Sequence, residues 1–201
     1  MNRIGDQTSA SGAVSPMRRT PVSGPLRIAV IGAECTGKSS LCEALADRLP
    51  GLWVPEALRE FCDRLGRTPR ADEQAGLVGE QLAREQAAMV RASALACDWL
   101  VIDSSPLATA LYSLELFDDA SLLPAAIAHQ HAYDLTLLAG IDLPWTADGI
   151  QRDGPDARAS FHARLTGLLS DAHIAHTELR GALPDRLLEA LQAAGRRSSA
   201  I

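Results

Sequence analysis

The 201-residue chain is 47% hydrophobic and 22% charged, with a formal net charge of −6, which places it among ordinary globular proteins rather than disordered or fibrous ones. One domain of this size buries about 70% of the surface its unfolded chain would expose. The acidic balance argues against nucleic-acid binding, which needs clustered Lys and Arg, and no apolar run approaches the roughly 18 residues of a membrane helix, so neither nucleic acid nor membrane is an expected partner.

Residues 1–25 are rich in Ser, Thr, Gly and Pro without apolar periodicity, and read as a disordered leader ahead of a single domain over 26–201. Leu26 to Ile31 is a short apolar run ending at Gly32, the pattern of a parallel strand buried on both faces. Leu41, Leu45 and Leu49 recur at four-residue spacing and predict an amphipathic helix that Pro50-Gly51 ends. Leu52 to Val54 predicts a second strand running into Glu56. Asp72 is the expected cap of a long helix carrying Val78, Leu82 and Met89 on one face. Trp99 to Ile102 predicts a third strand ending at Asp103, and helical segments are expected to begin near Pro106 and near Leu122. Tyr133 to Leu138 and His173 to Thr177 supply a fourth and a fifth strand. Pro184 suits the first turn of a last helix with Leu187, Leu188 and Leu191 on one face. Strands alternating with helices imply right-handed crossovers, hence a mainly parallel five-stranded sheet with helices on both faces. Ligands of such sheets sit at the carboxyl ends of the strands. The stretch over about 140–156 fits neither periodicity and reads as a lid.

Gly32-Ala33-Glu34-Cys35-Thr36-Gly37-Lys38-Ser39 is a complete G-x-x-x-x-G-K-[ST] pattern placed between a buried strand and an amphipathic helix, where a phosphate loop belongs. Its glycines let successive N–H groups, from Glu34, Cys35 and Thr36 through Ser40, converge on phosphate oxygens. Lys38 adds a mobile charge, and the Ser39 hydroxyl is the expected Mg²⁺ ligand. ATP with Mg²⁺ is therefore the expected cofactor, and no N-K-x-D guanine signature competes with it.

Asp103, ending an apolar strand, is placed either to hold Mg²⁺ directly or through water, or to cap the next helix; Ser104 and Ser105 could add polar contacts or simply start that helix. Glu56 can reach the same crevice as the phosphate loop and is the candidate base or hydroxyl-orienting group, with Arg59 and Glu60 on its face if a helix begins there. A solvated ion-pair cluster is the equal alternative for this trio. Trp145, Asp148, Gly149 and Arg152 fall in the lid, where Trp145 suggests substrate contact and Arg152 is the leading charge-stabilising candidate, ahead of Arg158 and Arg164. His129 and His131, and likewise His162, His173 and His176, form no recognisable ligand set. Cys35, Cys42, Cys62 and Cys97 lack C-x-x-C spacing, so free thiols in a reducing, cytoplasmic compartment are expected.

Ile31 to Ser40, Trp53 to Glu60, Leu100 to Ser104 and Tyr133 to Leu137, with Pro144 to Arg152 as lid, together resemble the ribosylnicotinamide kinase domain of NadR-like proteins, in the right order over most of Arg27 to Ala194. The resemblance implies ATP-dependent phosphorylation of a nucleoside hydroxyl. It implies Lys38 and Arg152 on phosphates, Ser39 and Asp103 around Mg²⁺, Glu56 near the substrate ribose, and Gly181, Asp185 and Arg186 near the adenine. Three departures are visible: Cys35 stands where the loop often has Ser, Ser105 replaces a frequent second acid, and no adenylyltransferase segment with its H-x-G-H element is expected. If the acceptor is ribosylnicotinamide, its cationic ring could lie on Trp145 near Glu56 or Glu60. The alternative function is a nucleotide-dependent regulatory or interaction ATPase module without small-molecule kinase activity.

Overall fold

The computed structural model describes residues 24–146 and 154–199. The leader expected over 1–25 lies outside the described residues except for Gly24 and the buried Pro25, and so do Asp148, Gly149 and Arg152 of the lid. The elements run β1 (Leu26–Ile31), α1 (Lys38–Arg48), β2 (Gly51–Val54), α2 (Ala57–Leu65), a 3-10 turn (Ala71–Glu73), α3 (Gln74–Ala94), β3 (Trp99–Asp103), α4 (Pro106–Phe117), α5 (Leu123–Gln130), β4 (Leu135–Ala139), α6 (Gly154–Asp171), β5 (Thr177–Leu179) and α7 (Leu183–Ser199).

The five strands pair in the order β2-β3-β1-β4-β5, and each pairing is parallel. The first strand is thus central, flanked on both sides. This is the doubly wound sheet expected from the sequence. Alternation along β1 divides the core: Ile28 and Val30 pack with Leu41, Leu45 and Ala190 under α1 and α7, whereas Ala29 and Ile31 pack with Leu107, Leu111, Phe161 and Leu165 under α4 and α6. Each fully buried aliphatic side chain contributes roughly 1.5–3 kcal/mol. The sheet is thereby fixed from both faces.

Several boundaries differ from expectation, each for a local reason. Helix α1 stops at Arg48 and Gly51 already belongs to β2, opposite Trp99; a Cβ on Gly51 would meet the Trp99 carbonyl oxygen at 2.9 Å. Asp72 is an exposed residue of the 3-10 turn and does not cap α3. That turn is closed instead by Glu73, whose carboxylate accepts from the Arg70 N–H at 2.8 Å and pairs with Arg67. The buried stripe of α3 is Gln74, Leu77, Gln81, Glu85 and Ala92 rather than Val78, Leu82 and Met89. Strand β4 begins at Leu135, because Tyr133 turns inward to give its hydroxyl to Glu85 at 2.9 Å. Strand β5 is Thr177–Leu179, not His173–Thr177: the turn that ends α6 continues through His173, at φ 54°, and Ile174 N–H still bonds back to Leu169. On α7, Leu188 is 59% exposed, and Arg186, Ala190, Ala193 and Ala194 are the buried positions.

Candidate active site at the carboxyl edge of the sheet

The loop between β1 and α1 closes tightly over the sheet. Gly32 has φ 152°, and a Cβ there would strike Ala139 at its carbonyl oxygen, 2.9 Å away. Cys35 (φ 52°) and Gly37 (φ 75°) both take left-handed conformations, so the chain curls and its N–H groups turn inward, the geometry that cradles an anion. Gly37 caps α1, which starts at Lys38, and the unpaired N–H groups of that first turn add their partial positive charge. The Thr36 hydroxyl and the Lys38 ammonium both donate to the Ala33 carbonyl oxygen, each at 2.8 Å. Lys38 is thus folded across the loop it is expected to serve, and Ser39 and Ser40 open the helix behind it.

Asp103 and Glu56 converge on this loop from the ends of β3 and β2. Asp103 is 1% exposed and its Oδ1 is buried with no protein partner. Ser104, immediately after it, is held at φ 64°, a conformation that costs about 1–3 kcal/mol for a residue with a side chain and tends to occur at functional sites. Ser104 adds a small opposing influence on the Glu56 carboxylate beside it. Burial raises the Glu56 pKa, Lys38 opposes that rise and Asp103 adds to it, with Arg59 and Ser104 opposing. The Cys42 thiol feels the same three charges: burial pushes it well up, Asp103 and Glu56 reinforce the rise and Lys38 opposes it. Lys38, Glu56 and Asp103 therefore form one electrostatic group.

A Mg²⁺ ion fits these residues. A buried carboxylate oxygen without a partner needs a cation or a donor, and Asp103 Oδ1 stands beside the loop that carries the Ser39 hydroxyl. Mg²⁺ is usually bound by one or two protein groups together with substrate phosphates, and Asp103 and Ser39 are the two that would hold it.

The remaining candidates separate. Glu60 reaches Arg84 on α3 at 2.7 Å, away from the phosphate loop, while Arg59 stays within electrostatic reach of Glu56. The Trp145 indole N–H donates to Glu34 of the phosphate loop at 3.3 Å, and the Cys35 thiol donates to the Thr146 carbonyl oxygen at 3.1 Å. The start of the expected lid thus rests on the loop itself. Arg186 is 2% exposed, and its guanidinium donates to the carbonyl oxygens of Thr36, Gly140 and Gly181 and to Asp142. Arg158, on α6, reaches the carbonyl oxygens of Leu143 at 3.1 Å and Cys35 at 3.4 Å. Arg164 pairs with Glu115 at 3.3 Å. Ser105 donates to Gln130 at 2.7 Å, and Gln130 in turn to Thr136, so the position of the missing second acid is part of a closed network. Nothing in the sequence pointed to Asp142, which accepts from the Gly181 N–H and pairs with Arg186. Burial pushes its carboxyl up, but the Gly181 N–H and Arg186 outweigh that and hold it below the ordinary value.

A family model described as an AAA domain matches residues 27–186. The chain belongs to this AAA-domain family. Among solved structures, this AAA domain is similar to NadR protein in complex with NAD and AMP-PNP, with a TM-score of 0.70 at 18% identity over 87% of this chain and 50% of that one. A NadR complex with NR gives 0.64 at 20% identity over 87% and 52%. Thymidylate kinase from Ehrlichia chaffeensis gives 0.59 at 13% identity over 85% and 99%. No curated protein matches the chain. The AAA domain spans about half the length of the NadR chains it matches. At these identities the likeness is one of fold, and the expected resemblance to NadR-like proteins holds at that level. The molecule is a nucleotide-binding P-loop domain with a kinase-like fold.

Proposed function

We propose that this AAA domain transfers the γ-phosphoryl group of ATP to a hydroxyl of a nucleoside-like small molecule, with ribosylnicotinamide the leading acceptor. The observation that carries this reading is the placement of Glu56. Its carboxylate follows β2 as Asp103 ends the neighbouring β3, and it shares one electrostatic environment with Lys38 and Asp103. A loop that only bound nucleotide would need no second acid there. Glu56 accepts the hydroxyl proton as the acceptor oxygen bonds to the γ-phosphorus and the bond to the β-phosphate oxygen breaks, leaving ADP. Lys38 leaves the Ala33 carbonyl for the phosphates. The N–H groups of the loop hold the phosphates in line, and closure of the 140–156 segment, with Arg152 as its proposed phosphate-facing cation, excludes water from the γ-phosphate. Mg²⁺, held by Ser39 and Asp103, would neutralise charge on the phosphates.

The names of the fold neighbours support a kinase over the regulatory alternative. Thymidylate kinase matches across almost its whole length, and so does a deoxyadenosine kinase from M. mycoides. NadR, crystallised with NR, points to ribosylnicotinamide. A reducing, cytoplasmic setting is proposed with it, in keeping with four free cysteines. The test is acceptor-dependent ADP release from purified protein with Mg-ATP and a nucleoside panel. Release stimulated by no nucleoside, with ATP binding intact, would overturn the kinase reading in favour of the regulatory one.

A further inference from the structure

Helix α3 turns a polar stripe toward the interior. Two of its three buried polar residues are satisfied: Glu85 accepts from the Tyr133 hydroxyl and contacts His129, and Gln74 donates to the Pro69 carbonyl. Gln81 is different. It is 5% exposed; its Oε1 accepts the Ala57 N–H at 2.9 Å, and its Nε2 is buried with no partner. Buried side-chain donors are nearly always paired, so an unpaired one calls for an explanation. The bond from Ala57 fixes which end of the amide faces which way, because only the oxygen can accept from an N–H. Ala57 directly follows Glu56, so the amide is tied to the backbone turn that carries the acceptor-orienting carboxylate. An apolar wall adjoins that turn: Ala57, Leu58, Phe61, Cys62 and Leu77 cluster there with Tyr112 against them.

We propose that Gln81 is a binding residue of the acceptor subsite, its Nε2 donating to a carbonyl oxygen on the base of the acceptor nucleoside. This rests on the nucleoside-kinase reading. The two polar groups at the turn are complementary: Glu56, as a carboxylate, only accepts and suits a hydroxyl, whereas a carbonyl only accepts and needs the donor that Gln81 holds out. Nε2 is enclosed in this structure, so the acceptor reaches it by parting the small cluster between α2 and α3, which is distinct from the two clusters packed on the sheet. A site with a committed buried donor rejects an analogue that lacks the matching oxygen, because binding would leave the donor unpaired.

The test uses two matched pairs of ribosides: ribosylnicotinamide against 1-ribosylpyridinium, which lacks the carboxamide, and uridine against its 4-deoxy analogue. Binding is read by calorimetry in the presence of a non-hydrolysable ATP analogue, and turnover by ADP release. Gln81→Glu keeps the acceptor for the Ala57 N–H and removes the donor; Gln81→Met removes both without burying a charge. In at least one pair, wild type is expected to favour the carbonyl-bearing riboside on the order of tenfold or more. Each folded variant should lose that preference while ATP-analogue affinity stays at the wild-type value. A wild-type preference that persists in either folded variant overturns the proposal, as does a wild type that binds the members of both pairs equally. Selective riboside binding without phosphorylation would sink the kinase reading and leave Gln81 standing, whereas turnover with no carbonyl preference would do the reverse.

Discussion

The Arg186 guanidinium donates to the Thr36 carbonyl oxygen at 2.6 Å, across 150 positions of sequence. A loop that turns its N–H groups inward to hold phosphate turns carbonyl groups the other way, and those need donors of their own. Arg186 serves Thr36, and Arg158 reaches Cys35 beside it. Both arginines also grip the segment after β4, through Gly140, Ile141, Asp142 and Leu143. The phosphate loop and the base of the lid are therefore clamped by the same two cations, from behind the loop.

Arg186→Met should break this clamp. The substitution leaves Asp142 without its charge partner and the Thr36 and Gly140 carbonyls without a donor, and losing one partner of a buried pair costs about 3–5 kcal/mol. Chemical denaturation should show a loss at the lower end of that range, since Asp142 keeps 28% side-chain exposure. Affinity for an ATP analogue should fall with it. Arg186→Lys keeps the charge but cannot reach four acceptors at once, and should fall between the two.

Glu56→Gln should abolish most turnover, about 10²–10⁴-fold, with nucleotide affinity retained. Stability should move the other way. Burial raises the Glu56 pKa in the folded protein, so its contribution is present below the unfolded value and is lost as pH rises through the folded one. Above the folded value the ionised group is a net cost, and there the variant should melt no lower than wild type. The same shift moves the acid limb of kcat/KM above the ordinary Glu value. An acid limb at an ordinary Glu value would remove Glu56 from the role of base.

Gly32→Ala tests the close approach of the loop to β4. The added Cβ would meet the Ala139 carbonyl oxygen at 2.9 Å and its Cβ at 3.1 Å, from a φ of 152° that side chains rarely adopt. Neither neighbour can swing aside, since both belong to a central strand. Overpacking of this kind costs about 1–3 kcal/mol. Thermal melting should show that loss, and ATP binding should weaken further because the loop cannot keep its curvature.

The order of elements, the parallel sheet and the phosphate loop were legible because each rests on a local rule: an apolar run, a helical period, glycines at fixed spacing. Asp103 was legible for the same reason, as an acid that ends a buried strand. What escaped was decided by partners distant in sequence. Gln81 and Glu85 look like solvent-facing helix residues until the start of α2, α5 and Tyr133 are brought against them. Val78 and Leu82 looked like the buried face for the converse reason. Arg186 stood out only through a resemblance, and its contacts on loop carbonyls are ones that no spacing in the sequence reveals. Glu60 shows the limit of helical periodicity, because sharing a face with Glu56 did not stop it from pairing with Arg84, 24 positions on.

Trp145 offers a direct optical reading of the loop and lid together. Its indole N–H donates to Glu34 at 3.3 Å, whereas Trp99 is 4% exposed within the sheet and Trp53 lies on β2, packed against the core under α1 and α7. Nucleotide entering the loop must rearrange Glu34 and its neighbours, so the environment of Trp145 changes while those of the other two stay fixed. Tryptophan emission should therefore shift on titration with an ATP analogue, and Trp145→Phe should remove that shift while calorimetry still reports binding. The half-buried contact is worth little in itself, on the order of 1 kcal/mol, so analogue affinity should change by less than about tenfold. A nucleotide-dependent signal that survives in the Phe variant would mean that the sheet tryptophans respond instead, and that the 140–146 segment does not follow the occupancy of the loop.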